Sequence, residues 1–227
     1  MIDTLFPREV VTVTATTEMV SGSLYPAEEA CIARAVLKRR REFASGRLCA
    51  RQALARVGVT DFPLLVGADR APIWPPGIVG SISHSGGLCG VAVARQGDVI
   101  SIGVDVEQRE PLKHELVRLI CTPAEIAQLD RLASVAGVDW AKMIFSAKES
   151  TYKCYHPIAK TFLEFHEVEI VLAPEDGRFS ARLLATSTPS ANGARLFHGK
   201  FAYDTTHIAT GVTLTARECA QETSRQS

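Results

Sequence analysis

Ile78-Val-Gly-Ser-Ile-Ser83, Leu88-Cys-Gly-Val-Ala-Val-Ala94 and Val99-Ile-Ser-Ile-Gly-Val-Asp105-Val-Glu107 are three consecutive apolar runs, and their reading decides the fold. Each is short and rich in alternating or β-branched residues, and glycine-containing breaks at Gly86-Gly87 and Gln96-Gly-Asp98 separate them. That pattern predicts an antiparallel meander of three strands. The last run ends in two carboxylates. On a strand, side chains alternate with period two, so Asp105 and Glu107 share one face while Val104 and Val106 turn to the core.

Upstream of the meander, 10–13 alternates as a strand does, and Pro26-Ala-Glu28-Glu29 opens a helix with proline and acids in its first turn. Ile32, Ala35 and Val36 give that helix an apolar stripe. A second helix passes through Leu48, Ala50, Leu54 and Val57 and stops near Gly58. Ala71-Pro-Ile-Trp74-Pro-Pro-Gly77 reads as a turn-forming loop. Downstream, Thr122-Pro123-Ala-Glu125 is a capping box, and a longer helix spans 139–155 until His156-Pro157 ends it. Strands follow over 168–172, 179–184, 196–203 and 208–214. The order helices, strands, helices, strands predicts an α+β fold. It also suggests two similar halves, 1–107 and 108–227, with a polar tail over about 217–227. No residue-level repeat joins the halves.

Composition narrows the function classes. The chain has 227 residues, 46% of them hydrophobic, enough for a sizeable core. With 25 basic and 25 acidic residues, no global field draws it to nucleic acid. Six scattered cysteines form no CxxC pair, which disfavours zinc and thioredoxin-like readings. The N-terminus shows neither the basic region nor the apolar stretch of a signal peptide, and no apolar run approaches a bilayer's width. A cytoplasmic setting without membrane association is the expectation.

Candidate chemistry gathers in a few places. Phe145-Ser-Ala-Lys148-Glu149-Ser-Thr-Tyr152-Lys153 adds a third carboxylate and two lysines to Asp105 and Glu107. Oxygen ligands beside ammonium groups suit a magnesium ion holding a diphosphate. Taken alone, Asp105 and Glu107 are more often a solvated strand face, and Glu149 with Lys153 is an ordinary i, i+4 pair. The pair is more suggestive on a helix carrying Phe145, Ala147, Tyr152 and Tyr155. Gly80-Ser-Ile-Ser83-His84-Ser85-Gly86-Gly87 offers amides, hydroxyls and an imidazole for phosphate, or merely a polar hairpin turn. A Ser-His-Asp hydrolase fits poorly, because the serines beside His84 lie in no Gly-x-Ser-x-Gly elbow. Between Arg34 and Arg56 eight basic residues stand against one acid, Glu42, a composition suited to phosphate monoesters or to a solvated helix face.

Together these segments resemble the 4′-phosphopantetheinyl transferases of the larger, monomeric surfactin- and enterobactin-synthase type. The resemblance runs from about Tyr25 to Phe165. It is carried by Lys38-Arg-Arg40 to Arg51, Trp74-Pro-Pro-Gly77, Gly80-Ser-Ile-Ser-His84, Gly103-Val-Asp-Val-Glu107 and Phe145 to Lys153. The basic helix and the Trp-Pro segment look most like the actinobacterial branch. The resemblance implies transfer of 4′-phosphopantetheine from coenzyme A to a serine of an apo carrier protein, releasing adenosine 3′,5′-bisphosphate. It implies two α+β halves related by a pseudo-dyad, with coenzyme A between them.

By the same resemblance, Asp105, Glu107 and Glu149 match magnesium ligands, with manganese an alternative metal. Lys153 matches the lysine that serves the leaving phosphate, and Lys148 a nearby phosphate contact. His84, with Ser83 beside it, matches a histidine on the diphosphate. Arg39 and Arg47 match holders of the 3′-phosphate. Arg70, in Asp69-Arg70-Ala71-Pro72, stands where the family commonly has lysine. The serine proton goes to Glu149 directly or to Glu125 through a metal-bound water, although Glu125 has an equal claim as a capping residue. The implied partners are apo carrier proteins of peptide, polyketide or siderophore synthases, met by a monomer in siderophore or other secondary metabolism. Their acidic helix would dock on a basic and apolar surface over 112–119 or on the basic helix. Two other readings share the residues: a magnesium-dependent hydrolase of coenzyme A or a nucleotide diphosphate, and a coenzyme A-binding protein without activity.

Overall fold

The computed structural model describes residues 1–16, 22–135, 137–185 and 188–220. Two antiparallel sheets, each carrying a twenty-residue helix, make up the molecule. In the first sheet β1 (Val11–Thr16), β3 (Leu88–Arg95) and β2 (Ile78–Ser85) lie in the order β1-β3-β2. In the second, β4 (Val99–Gln108), β8 (His207–Thr215), β7 (Leu196–Tyr203), β6 (Arg178–Leu183) and β5 (Val168–Ala173) lie in the order β4-β8-β7-β6-β5. The expected α+β class is thus observed.

The expected three-strand meander is corrected. β3 spends one edge on β2 and the other on β1, so it has no edge left for β4. β4 pairs instead with β8, Asp105 opposite Thr210 and Glu107 opposite Ile208. The chain therefore changes sheet between Arg95 and Val99. A division after Glu107 separates β4 from the sheet it pairs with. β4 still meets the first sheet through side chains: the Val104 and Val106 amides donate to the hydroxyls of Ser81 (3.0 Å) and Ser83 (3.2 Å) on β2. Two serines thus satisfy buried donors on the free edge of β4, which would be costly to leave unpaired.

Helix α1 (Pro26–Cys31) is shorter than its stripe predicts: Ile32 is buried beyond its end, but Val36 is exposed. Helix α2 (Leu37–Arg56) begins there and buries Leu48, Cys49, Ala50, Ala53 and Leu54 with Val91 and Val93 of β3. The α2 end carries Gly58 at φ +81, a left-handed position suited to glycine. Helices α3 (His114–Ile120) and α4 (Pro123–Leu132) connect β4 to helix α5 (Trp140–Ala159). The α4 capping box forms as predicted, and Asp139 caps α5 by accepting from the Lys142 amide at 2.7 Å. α5 does not stop at His156. Pro157 sits in its last turn, where its missing N–H forfeits one bond, and Lys160 closes the helix in a left-handed conformation.

α5 lies on β4 and β8 at close range. A Cβ on Gly103 would collide with the carbonyl oxygen of Ser150, so the glycine of Gly103-Val-Asp105 lets the helix approach the strand. The main core forms between α5 and β5 to β8, around Met143, Ile144, Tyr155, Ile170, Phe197 and Ile208. A smaller cluster joins Ile2, Leu5 and Phe6 to Val104 and Val106. At the C-terminus 216–220 is helical, with Glu218 accepting from Thr215; the rest of the expected polar tail, 221–227, lies outside the described residues. Among the described residues no helix is long and apolar enough to cross a membrane.

Candidate active site

The side chains that meet between the sheets come from β2, β4 and one face of α5. Residues 142, 146, 149 and 153 recur at helical spacing and face β4. Asp105 is the hub. Its Oδ1 accepts from Lys153 Nζ at 2.7 Å and from Ser83 Oγ at 3.0 Å, and its Oδ2 accepts from Ser146 Oγ at 2.8 Å. Lys153 Nζ also donates to Ser83 Oγ at 3.1 Å. Glu107, two residues along the same face, pairs with Lys142 at 2.8 Å.

Glu149 lies beside both acids and accepts no hydrogen bond among the described residues. Burial pushes its carboxyl above the usual range; Lys153 opposes that shift, and the negative charges of Asp105 and Glu107 add to it. Three acids thus stand together, with Lys153 and Lys142 among them. The donor set, all carboxylate oxygen, suits a hard divalent cation. Among the described residues, however, no three such side chains converge in coordinating positions. Lys153 and Lys142 hold Asp105 and Glu107 in their place. The residues fit magnesium in chemistry and neighbourhood.

A line of cationic groups leads away from Asp105. His84 Nε2 lies 3.2 Å from Arg39 Nη1. Because a guanidinium only donates, Nε2 is the acceptor and the imidazole is neutral, with its proton on Nδ1 toward Glu42. Burial lowers the His84 pKa; Glu42 opposes this, and Arg39 and Lys153 reinforce it. Arg39 and His84 therefore lie in direct contact, although the sequence assigns them to different phosphates. Arg47 is placed differently. It is buried, stacks over Phe43 at 4.1 Å and donates from Nε to the Leu64 carbonyl at 2.6 Å. Burial lowers its pKa to about 10, which leaves it charged at neutral pH. Its first task is to anchor the 64–66 segment, together with Glu28, which accepts the Leu64 amide.

A cleft of about 960 Å3 opens beside Lys153, between the 67–74 loop, β2 and the end of α5. Arg70 lies on its rim in a left-handed conformation, exposed to solvent. Trp74, Ile78, Ile82 and Ile158 line its apolar wall. Clefts of this size between structural layers are the ordinary setting for a cofactor-sized ligand.

Two expected site residues lie elsewhere. Lys148 and Glu125 form a sealed ion pair at 2.8 Å, with side chains 1% and 0% exposed. Lys148 also donates to the carbonyls of Ile120 (2.8 Å) and Phe165 (2.6 Å). Glu125 accepts the amides of Thr122 (2.7 Å) and Ile170 (2.6 Å). Burial pushes Glu125 up and Lys148 down, and each partner opposes the other's shift. The pair joins α3, α4, α5 and β5, so the expected phosphate contact of Lys148 and the water-mediated base role of Glu125 are corrected to structural ones. The signal was in the sequence: Lys148 repeats with Ile144, Thr151 and Tyr155 on the buried stripe of α5, away from the face of Glu149 and Lys153. Ser146, Lys142, Thr210 and Ser81 were missed. Ser146 and Lys142 lie one and two turns before Glu149 and Lys153, and that spacing was the available clue.

A buried carboxylate, a lysine and an arginine–histidine pair between two sheets are groups suited to a phosphate ester. That chemistry is common to transferases and hydrolases of phosphorylated cofactors. Comparison with known proteins decides between them. A model of the 4′-phosphopantetheinyl transferase N-terminal domain matches residues 27–94, and one of the 4′-phosphopantetheinyl transferase superfamily matches residues 101–209. The chain is 40% identical over 222 residues to the 4′-phosphopantetheinyl transferase Svp of Streptomyces mobaraensis, covering 95% of this chain and 90% of that protein. It is 37% identical over 194 residues to the 4′-phosphopantetheinyl transferase PptT of Mycobacterium tuberculosis, covering 83% and 85%. Similarity to enterobactin synthase component D of Escherichia coli O157:H7, 39% over 121 residues, covers 51% of this chain and 54% of that one. The chain belongs to the 4′-phosphopantetheinyl transferases, enzymes that move 4′-phosphopantetheine from coenzyme A to carrier proteins.

Proposed function

We propose that coenzyme A lies between the two sheets with its diphosphate against Lys153 and His84, its 3′-phosphate toward Arg39, and its pantetheine arm in the cleft beside Trp74 and Ile158. The observation that carries this reading is the Asp105–Lys153–Ser83 cluster, in which a lysine open to the cleft and a β2 hydroxyl meet a buried β4 carboxylate. Arg70, on the cleft rim, supplies a further positive charge to a phosphate. Arg47 holds the loop that backs the site and contributes its charge to the same corner.

Asp105, Glu107 and Glu149 would hold magnesium, or manganese in its place, which supplies charge neutralisation to the diphosphate when bound. The chain's own groups do the remaining work. The hydroxyl oxygen of the carrier serine forms a bond to the pantetheine-bearing phosphorus, and the phosphoanhydride bond from that phosphorus to the bridging oxygen breaks. Glu149, its carboxyl pKa raised by burial, takes the serine proton. Lys153 Nζ stands ready to donate to the phosphate of the departing adenosine 3′,5′-bisphosphate. His84, held beside Arg39, would donate to a phosphate oxygen from Nε2 once that nitrogen leaves Arg39 and takes a proton from solvent.

The carriers served are apo carrier proteins of peptide, polyketide or siderophore synthases. The kinship with the enterobactin synthase component supports the siderophore branch of that set, and the monomeric state and cytoplasmic setting belong to the same proposal. Intact mass of an apo carrier incubated with the protein, coenzyme A and magnesium tests the reading. A gain of one phosphopantetheine, absent with EDTA and with Asp105→Ala, supports it. Cleavage of coenzyme A with no gain on any carrier would sink it in favour of the hydrolase.

A further inference from the structure

The Asp105 carboxylate is fixed from both sides, and the far side has no place in the chemistry described above. Ser83 and Lys153 take Oδ1, on the side that opens to the cleft. Oδ2 points the other way, into a cluster of three hydroxyls that solvent does not reach: Ser146, Thr210 and Ser150 are all 0% exposed. Ser146 has a single proton, and a carboxylate accepts only, so that proton goes to Asp105 Oδ2 at 2.8 Å. The lone pairs of Ser146 Oγ then face Thr210 Oγ1 at 3.0 Å. Thr210 is also within reach of the Ser146 carbonyl (2.8 Å) and of Ser150 Oγ (2.9 Å). Ser150 gives its proton to the Ala147 carbonyl at 3.1 Å. The arrangement is built into the sheet, because Thr210 stands opposite Asp105 in the β4–β8 register. Gly103 lets α5 close enough for Ser146 to reach the strand.

The χ2 torsion of an aspartate is soft. A carboxylate with a donor on one oxygen only would swing about it. We propose that Ser146, held in turn by Thr210, is a positioning residue for Asp105: it locks Oδ2 into the protein so that Oδ1 alone is presented to the metal. This rests on the proposed role of Asp105 as a metal ligand. Ser146 touches neither substrate nor metal, and it acts through the orientation of its neighbour.

Binding of manganese to the full-length protein with saturating coenzyme A, followed by electron paramagnetic resonance, tests this directly. Ser146→Ala is expected to weaken manganese binding by about 10- to 100-fold, the range for partners that orient metal ligands. Ser146→Cys, which keeps the packing but is a poor donor, is expected to show the same loss should the alanine variant fold badly. Ser150→Ala, in the same hydroxyl cluster but without a bond to Asp105, is expected to bind within about twofold of wild type. Wild-type affinity in either Ser146 variant overturns the inference and leaves the metal reading standing. An equal loss in Ser150→Ala also overturns it, since the cluster would then only hold the helix. No binding by the wild-type protein overturns the metal reading and the inference together.

Discussion

Two of the lysine–carboxylate pairs on helix α5 share their chemistry and differ in exposure. Lys148 and Glu125 are 1% and 0% exposed and are surrounded by backbone donors and acceptors. Lys153 and Asp105 are 27% and 4% exposed, with the lysine end open to a cleft. The first pair cannot meet a ligand without unfolding its surroundings. The second has one partner that a phosphate can take over. What separates the two pairs is access, set by a rotation of about 140° around the helix between residues five apart.

Breaking each pair should therefore give different losses. Lys153→Ala is expected to lower the turnover of carrier modification by about a hundred- to a thousandfold, as removal of a transition-state electrostatic group does, with a smaller loss of stability than at Lys148 because Lys153 is 27% exposed and Asp105 keeps the Ser83 and Ser146 hydroxyls. A loss confined to the coenzyme A KM would move Lys153 from the chemistry to simple binding. Lys148→Ala is expected to cost about 3–5 kcal/mol of stability by denaturant unfolding, because Glu125 is left buried and unpaired. Replacing both, as Lys148→Met with Glu125→Gln, should recover most of that stability and retain transfer.

Glu149 sharpens the contrast from the acid side. Its folded pKa is raised, so its ionised form costs stability above that pKa, and the cost disappears as pH falls through it. Glu149→Gln is expected to abolish transfer yet melt about 1–3 °C higher than wild type at pH 8 in EDTA, with the gap closing toward acid pH. A melting temperature that falls would mean the carboxylate has a stabilising partner. The wild-type rate is likewise expected to fall toward acid pH as Glu149 takes up its proton. The smallest effect is sought at the rim. Charge reversal of Lys113 and Arg118, flanking and within α3, is expected to raise the carrier KM several-fold and leave coenzyme A binding unchanged; a loss of coenzyme A affinity would remove α3 from carrier docking.

Much of this was legible in the sequence because it is local. Strand alternation located β2, β3, β4 and the last four strands, capping signals located α4, and residue types plus spacing drew attention to Asp105, Glu149 and Lys153, which the fold brings near one another. The partner of β4 was not legible. Nothing in 99–107 distinguishes pairing with 88–95 from pairing with 207–215, and only the occupied edges of β3 decide it. The roles of Ser81 and Ser83 as acceptors for β4 amides depend on that same non-local choice. Lys148 was given a phosphate by the resemblance, although its helical position beside Ile144, Thr151 and Tyr155 marked it as buried. Arg47 shows the opposite difficulty: a charge in a basic run whose burial appears only once Leu64 and Phe43 fold over it.

The most direct measurement is the intact mass of one apo carrier treated in parallel with the Lys148→Met/Glu125→Gln protein and with the Lys153→Ala protein, each with coenzyme A and magnesium. The account predicts a phosphopantetheine-sized gain from the double variant and none from Lys153→Ala. A gain from Lys153→Ala and none from a folded double variant would place the reaction at the buried pair and contradict it.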